Sequence, residues 1–193
     1  GEMPIFIPQH VLDETAALKT AAGDVETGGV LIGHIRQDPG VPEIFVEITD
    51  QIPAAHTQAT ATRLTFTKET WATVRATIKL RGRGEVCTSW WHSHPASAPS
   101  WCGRCEPARW KHCPLARTFF SAEDCAIQKE IYPRGYSTAL VVGDTPNDDA
   151  TWSTTHALFG WHQGMVVERG FNVITSQGGL MSTTKGGHHA TTS

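Results

Sequence analysis

The pattern that first points to chemistry is His92-Ser93-His94-Pro95. It follows an apolar run, Val86 to Trp91, that reads as a strand. Residues two apart on a strand project to the same side, so both imidazoles can reach one ion, and Pro95 stops the strand beyond them. Two histidines and one carboxylate, with water in the fourth position, make the ligand set of a catalytic zinc site. Such an ion lowers the pKa of its water to about 7 and polarises a carbonyl. A carboxylate off the metal is then needed to take the proton and pass it to the leaving amine. On its own, His-x-His fits two partly exposed loop histidines equally well, because histidine has several ordinary roles.

Two further segments complete a pattern. Phe120-Ser121-Ala122-Glu123-Asp124 lies downstream, and Glu26-Thr27-Gly28-Gly29 stands upstream at a strand entry. His-x-His-Pro, then Ser-x-x-Asp, with a glutamate upstream, resembles the signature of the JAMM (MPN+/JAB) zinc metalloproteases of prokaryotic type. The order of elements is similar as well, and the resemblance spans roughly Pro4 to Ile174. It implies an α/β (α+β) domain of the cytidine-deaminase-like MPN/JAB kind, a mixed β-sheet flanked by helices. It implies His92, His94 and Asp124 as ligands of a catalytic Zn2+, and Glu26 as general acid and base. Ser121 would hydrogen-bond the tetrahedral oxyanion or position the scissile carbonyl; three residues apart on a helix, Ser121 and Asp124 would share a face. Without the resemblance, Glu26 reads as an exposed strand-end carboxylate.

The family's usual reaction is hydrolysis of the bond after the C-terminus of ubiquitin or a ubiquitin-like protein. The implied partner is therefore a ubiquitin-like substrate, its extended tail adding a strand beside the site. Bacterial relatives imply a second reading, trimming of a sulfur-carrier protein. Members that have lost their ligands imply a third, a non-catalytic scaffold, against which the retained Glu26, His92, His94, Ser121 and Asp124 argue.

The chain departs from the family in one place. There the serine follows the second histidine by about eight residues, whereas Ser121 stands 27 positions past His94. The expectation is an insertion at about 96–118. The alternative makes Cys105 the third ligand, which would place more negative charge on a metal that must activate water. The inserted stretch holds Cys102-x-x-Cys105 and then His112-Cys113, three of the five cysteines within twelve residues. Cys-x-x-Cys with a later Cys and His is zinc-ligand vocabulary, and so small a loop, poor in apolar residues, would gain much of its order from a metal. A second, structural Zn2+ on Cys102, Cys105, His112 and Cys113 is expected, against the reading of free thiols. Adjacent His112 and Cys113 must both turn inward, which makes the fourth ligand the open question. Cys87 and Cys125 read as small buried side chains. A cysteine-protease pairing of Cys87 with His92 is disfavoured, because apolar neighbours disfavour a thiolate. Trp90, Trp91, Trp101 and Trp110 read as packing residues, with Trp101 and Trp110 alternatively lining a substrate groove.

The elements that must position these residues follow from periodicity. Ile5-Phe6-Ile7 is a short strand, and Gln9 to Ala22 carries Val11, Leu12, Ala16 and Leu18 at helical spacing. Glu26 to Arg36 is a buried strand entered through glycines, and Glu43 to Ile52 alternates as its antiparallel partner. Arg63 to Phe66 is a further strand. Thr67 caps a helix running to Leu80, ended by Gly82 to Gly84. Ser121 to Ile131 is a helix, Tyr136 to Val142 a strand, and 143–150 a polar loop. Leu158 to Trp161 and Met165 to Glu168 form a hairpin about Gln163-Gly164, followed by Phe171 to Ile174. One domain over 1–174 and a flexible tail over 175–193 are expected.

Composition sets the outer bounds. With 193 residues, 39% apolar, 18% charged and a net charge of -3, the chain fits one soluble domain. No basic excess marks a nucleic-acid surface, and no apolar run spans a membrane. Gly1-Glu2-Met3 is no leader and reads as a tag scar. The odd cysteine count argues against a disulfide framework and for a reducing, cytoplasmic setting.

Overall fold

A computed structural model describes residues 3–23, 25–54, 57–59, 64–94, 118–147, 149, 151–183 and 189–190. The expected zinc set Cys102, Cys105, His112 and Cys113 lies outside these residues, as do Trp101 and Trp110.

Among the described residues the chain forms one large mixed sheet with helices on both faces. In order come β1 (Ile5–Pro8), α1 (Gln9–Ala22), β2 (Gly28–Gln37), β3 (Ile44–Pro53), β4 (Thr57–Ala59), β5 (Leu64–Phe66), α2 (Lys68–Arg81), β6 (Val86–Ser93), α3 (Ala122–Ile131), β7 (Thr138–Pro146), β8 (Trp152–His162), β9 (Met165–Arg169), β10 (Asn172–Ile174), β11 (Leu180–Thr183) and β12 (His189–Ala190). The ten-stranded sheet runs β12-β11-β10-β1-β3-β2-β6-β7-β8-β9, and β4 and β5 pair separately. The pairs β1–β10, β1–β3 and β6–β7 are parallel and the rest antiparallel.

Each face of the sheet buries its own cluster. Ile5, Ile7, Leu31, Val46, Ile48, Trp91, Leu140 and Val142 pack with Val11 and Leu12 of α1. On the other face Val30, Ile32 and Ile52 meet Val74, Trp71 and Ile78 of α2. Beside them Trp90 and Ala139 meet Tyr132 and Ile127. β2 and β6 are covered on both sides where they pair, so Gly28 to Gly33 of β2 is buried without a polar side chain, while β6 buries Thr88, Ser89, His92 and Ser93 among its tryptophans. The mixed α+β architecture read from the order of elements is therefore present.

The helix ends follow local chemistry. Thr67 accepts from the Thr70 N–H at 3.3 Å, and Gly82 at φ 63° closes α2 in the left-handed region. Gln163 and Gly164 both have positive φ, 49° and 80°, as a two-residue type I′ hairpin turn requires.

Two expectations need correction. The polar stretch 143–150 is not a loop in its first half: β7 continues to Pro146, and β8 begins at Trp152. Thr145 and Thr155 are diagonal neighbours across the β7–β8 ladder with their hydroxyls 3.1 Å apart, and threonine is a good strand former. The polar tail expected from 175 onward begins too early, since Leu180–Thr183 pairs antiparallel with β10. Buried Thr183 secures it, its Oγ1 accepting from the Phe171 N–H at 3.1 Å and its N–H donating to the Phe171 carbonyl at 2.8 Å.

Candidate metal centre

His92 and His94 sit at the end of β6, on the face that also carries Trp90. Trp90 stacks on His92 with centroids 4.9 Å apart. Phe119 lies 4.6 Å from the His94 ring and Phe120 6.4 Å from His92. This aromatic surround removes water from both imidazoles.

Asp124 arrives from α3. Ser121 is the N-cap of that helix, in an extended conformation (φ -75°, ψ 172°). Its Oγ accepts from the Asp124 N–H at 3.1 Å, and Asp124 Oδ2 accepts from the Ser121 N–H at 2.8 Å. The Ser-x-x-Asp spacing is thus a reciprocal capping box. Ser121 and Asp124 do not share a helix face, as the spacing alone suggests: the serine stands outside the helix because its hydroxyl satisfies an orphan N–H there.

α3 is pinned by fully buried Gln128, one turn beyond Asp124. Its Oε1 accepts from Trp90 Nε1 at 2.7 Å, and its Nε2 donates to the carbonyls of Ser137 (3.0 Å) and Tyr132 (3.3 Å). One side chain thereby ties the helix that carries Asp124 to the strand that carries the histidines. Sequence reasoning passed over Gln128. The available signal was its position four residues after Asp124 on the same stripe.

The result is that one ligand atom from each of His92, His94 and Asp124 lies within 4.8 Å of the other two. His92 Nε2 is 3.4 Å from Asp124 Oδ2, close in distance but not aligned for a hydrogen bond. His92 Nδ1 and Nε2 and His94 Nδ1 are buried without a hydrogen-bond partner. Unsatisfied buried nitrogens are costly, and a divalent ion with imidazole and carboxylate ligands would take up one nitrogen of each ring and so relieve part of that cost. The protonation states suit the same role. Burial, with His92 and Lys19 nearby, pushes His94 down to about 4, so it is a neutral ligand. Burial raises the Asp124 carboxyl, but His92 and the Ser121 N–H outweigh it and leave the group at about 2, ionised.

Glu26 completes the set. It lies just before β2, whose Gly28 pairs with His92 of β6, which brings its carboxyl near enough to His92 and Asp124 for their charges to act on it. It is half-buried, and its carboxyl is raised to about 7, first by burial and also by Asp124 and Glu123, against the lowering effect of His92. The glycines after it have separate duties. A Cβ on Gly29 would strike the Ile52 carbonyl and Trp91 Nε1. The Gly28 carbonyl accepts from the Ala54 N–H at 2.9 Å.

Cys87 is half-buried at the other end of β6, its thiol 3.8 Å from Tyr132 Oη and pushed up to about 11 by burial, which leaves it protonated. Cys125 is half-buried, not enclosed.

No protein-family model matches the chain, and no curated protein matches it. Among solved structures it is similar to the solution structure of protein DSY2949 from Desulfitobacterium hafniense, at a TM-score of 0.51 and 18% identity, covering 89% of this chain and 92% of that one. A likeness at that identity speaks to the fold alone.

Proposed function

We propose that the chain is a zinc-dependent peptidase of the JAMM (MPN+/JAB) type, acting on the bond after the C-terminus of ubiquitin or a ubiquitin-like protein. The observation that carries the reading is the convergence of His92, His94 and Asp124 within 4.8 Å, with imidazole nitrogens buried and unpaired. Glu26 beside them, poised near pH 7, supports it.

When bound, the ion supplies a Lewis acid and a water of lowered pKa. The chain's own groups do the rest. Glu26, whose carboxyl burial raises to about 7 before any ion binds and a bound cation would lower, would accept a proton on its carboxylate and return it to the leaving amine. Ser121 Oγ uses a lone pair for the Asp124 N–H, which leaves its hydroxyl hydrogen for the carbonyl oxygen under attack. Trp90, Phe119 and Phe120 keep competing water away from the imidazoles. A scaffold role would leave unpaired buried nitrogens unexplained, which favours an enzyme. The free thiols Cys87 and Cys125 go with a reducing, cytoplasmic setting. Among the described residues no helix is long and apolar enough to cross a membrane.

The test is incubation of the zinc-loaded chain with a panel of ubiquitin-like and sulfur-carrier fusions, with and without a chelator. Cleavage after the carrier's C-terminus that stops on chelation is expected, and the fusion cleaved identifies the substrate class. No cleavage of any fusion by protein carrying stoichiometric zinc would overturn the peptidase reading.

A further inference from the structure

We infer that Ser93, the residue between the two histidine ligands, is a positioning residue that locks the Glu26 segment to the metal-binding strand. The inference rests on the reading of Glu26 as the base.

The ladder between β2 and β6 pairs Gly28 with His92, so the next rung sets Thr27 opposite Ser93. In a hydrogen-bonded antiparallel rung the two residues exchange N–H and carbonyl bonds. Here only half of that exchange is made by backbone. The Ser93 N–H donates to the Thr27 carbonyl at 2.7 Å. The Thr27 N–H turns instead to the Ser93 hydroxyl, Oγ accepting at 3.1 Å. A side chain has taken the place of a carbonyl at the last rung before Glu26.

Two consequences follow. Both backbone polar groups of Thr27 are held by the same residue, the carbonyl by its N–H and the N–H by its hydroxyl, so half of the hold on the chain leaving the ladder toward Glu26 is a side chain's. Ser93 is also fully buried, so its hydroxyl is held in place on the acceptor side of a bond whose donor, Thr27, is half-buried. His92 and His94 flank Ser93, and Glu26 precedes Thr27. The clamp therefore sets the distance between base and metal ligands, a quantity on which turnover depends steeply. The ligands do not need the clamp in return, because Asp124 is held by the Ser121 capping box and Gln128 ties α3 to Trp90.

The experiment compares Ser93→Ala, Ser93→Cys and Ser93→Thr in the zinc-loaded full chain. Ser93→Cys keeps the size and removes the good acceptor, which guards against a cavity effect in Ser93→Ala; Ser93→Thr keeps the hydroxyl. Expected in the Ala and Cys variants is a fall in kcat of about 10- to 100-fold, the usual cost of losing a group that orients a site. KM should stay within about twofold and zinc affinity, by chelator competition, within about threefold. Amide exchange at Thr27, followed by NMR, should rise at least tenfold, and Ser93→Thr should recover both readouts. An unchanged kcat, or a loss of zinc in step with the loss of turnover, would overturn the inference. If the wild-type holoprotein cleaves no fusion, the peptidase reading fails by itself. Thr27 exchange then still decides whether Ser93 holds the segment, and unaltered exchange in both variants refutes it.

Discussion

Among the described residues, two places bring histidine and carboxylate ligand atoms within metal-binding distance of one another, and they differ in burial and in hydrogen bonding. His10 and Glu14 of α1 and Asp50 of β3 meet the same 4.8 Å spacing as His92, His94 and Asp124. The first group lies at the surface, with His10 and Glu14 exposed. Its carboxylates are already occupied. Asp50 Oδ2 accepts from Arg81 Nη1 at 2.7 Å and Oδ1 from the Gln51 N–H at 2.9 Å, while Glu14 Oε2 accepts from Gln51 Nε2 at 3.1 Å. The second group is enclosed by aromatics and has three buried nitrogens with no partner. Spacing alone does not make a metal site. What separates the two is that one is exposed, with both carboxylates already accepting hydrogen bonds from the protein, and the other is buried with imidazole nitrogens that have none.

The sharpest way to break this comparison is to remove a ligand from each group. Asp124→Ala or His92→Ala should lower zinc affinity on the order of 1,000-fold, several kcal/mol at about 1.4 kcal/mol per decade, and abolish turnover. His10→Ala should leave zinc content and turnover within about twofold. Zinc titration of the three variants checks it, and equal losses would erase the distinction drawn here.

Glu26→Gln sharpens the division of labour inside the enclosed group. It should keep stoichiometric zinc and lose about 100- to 10,000-fold in kcat, the range of a general acid–base contribution. Metal analysis beside steady-state kinetics gives both numbers, and full residual activity would remove Glu26 from the mechanism.

The metal-free protein should also show the enclosed group in its pH dependence. Glu26 is raised from 4.5 to about 7, so the stability linked to its protonated form is complete below pH 4.5 and lost as pH rises through 7. Asp124 is lowered from 3.8 to about 2, so its contribution is present above pH 3.8 and lost as pH falls through 2. Melting temperatures of metal-free Glu26→Gln should therefore exceed wild type above pH 7 and converge with it below pH 4.5. A gap that widens toward acid would show the sign to be wrong.

The smallest effect compares two helix caps. Ser121→Ala and Thr67→Ala each remove an N-cap hydroxyl and should each cost about 1 kcal/mol of stability by denaturant unfolding. Only Ser121→Ala should also depress kcat. Equal activity in the two variants would reduce Ser121 to a cap.

Much of this was legible in the residues themselves. Alternation and helical stripes are local properties, so β2, β3, α1 and α2, the Gln163-Gly164 turn and the same-side projection of His92 and His94 follow from short-range rules. The residues that failed to read locally are those whose environment comes from far along the chain. Asp144 looks like a loop residue until Lys19, 125 positions away, meets it at 2.6 Å and lets a polar strand persist. Ser-x-x-Asp reads as a helix face and is a capping box, because hydroxyl and carboxylate each satisfied the other's backbone. Glu26 is an ordinary surface carboxylate by sequence. Its proximity to His92 and Asp124, and the burial that raises it, come only from the register of β2 on β6 and from α3 lying over that face. Sequence determined which groups were on offer and which local elements carried them. Tertiary structure decided which of them lost their water together, because desolvation depends on everything packed around a group and not on its neighbours in the chain.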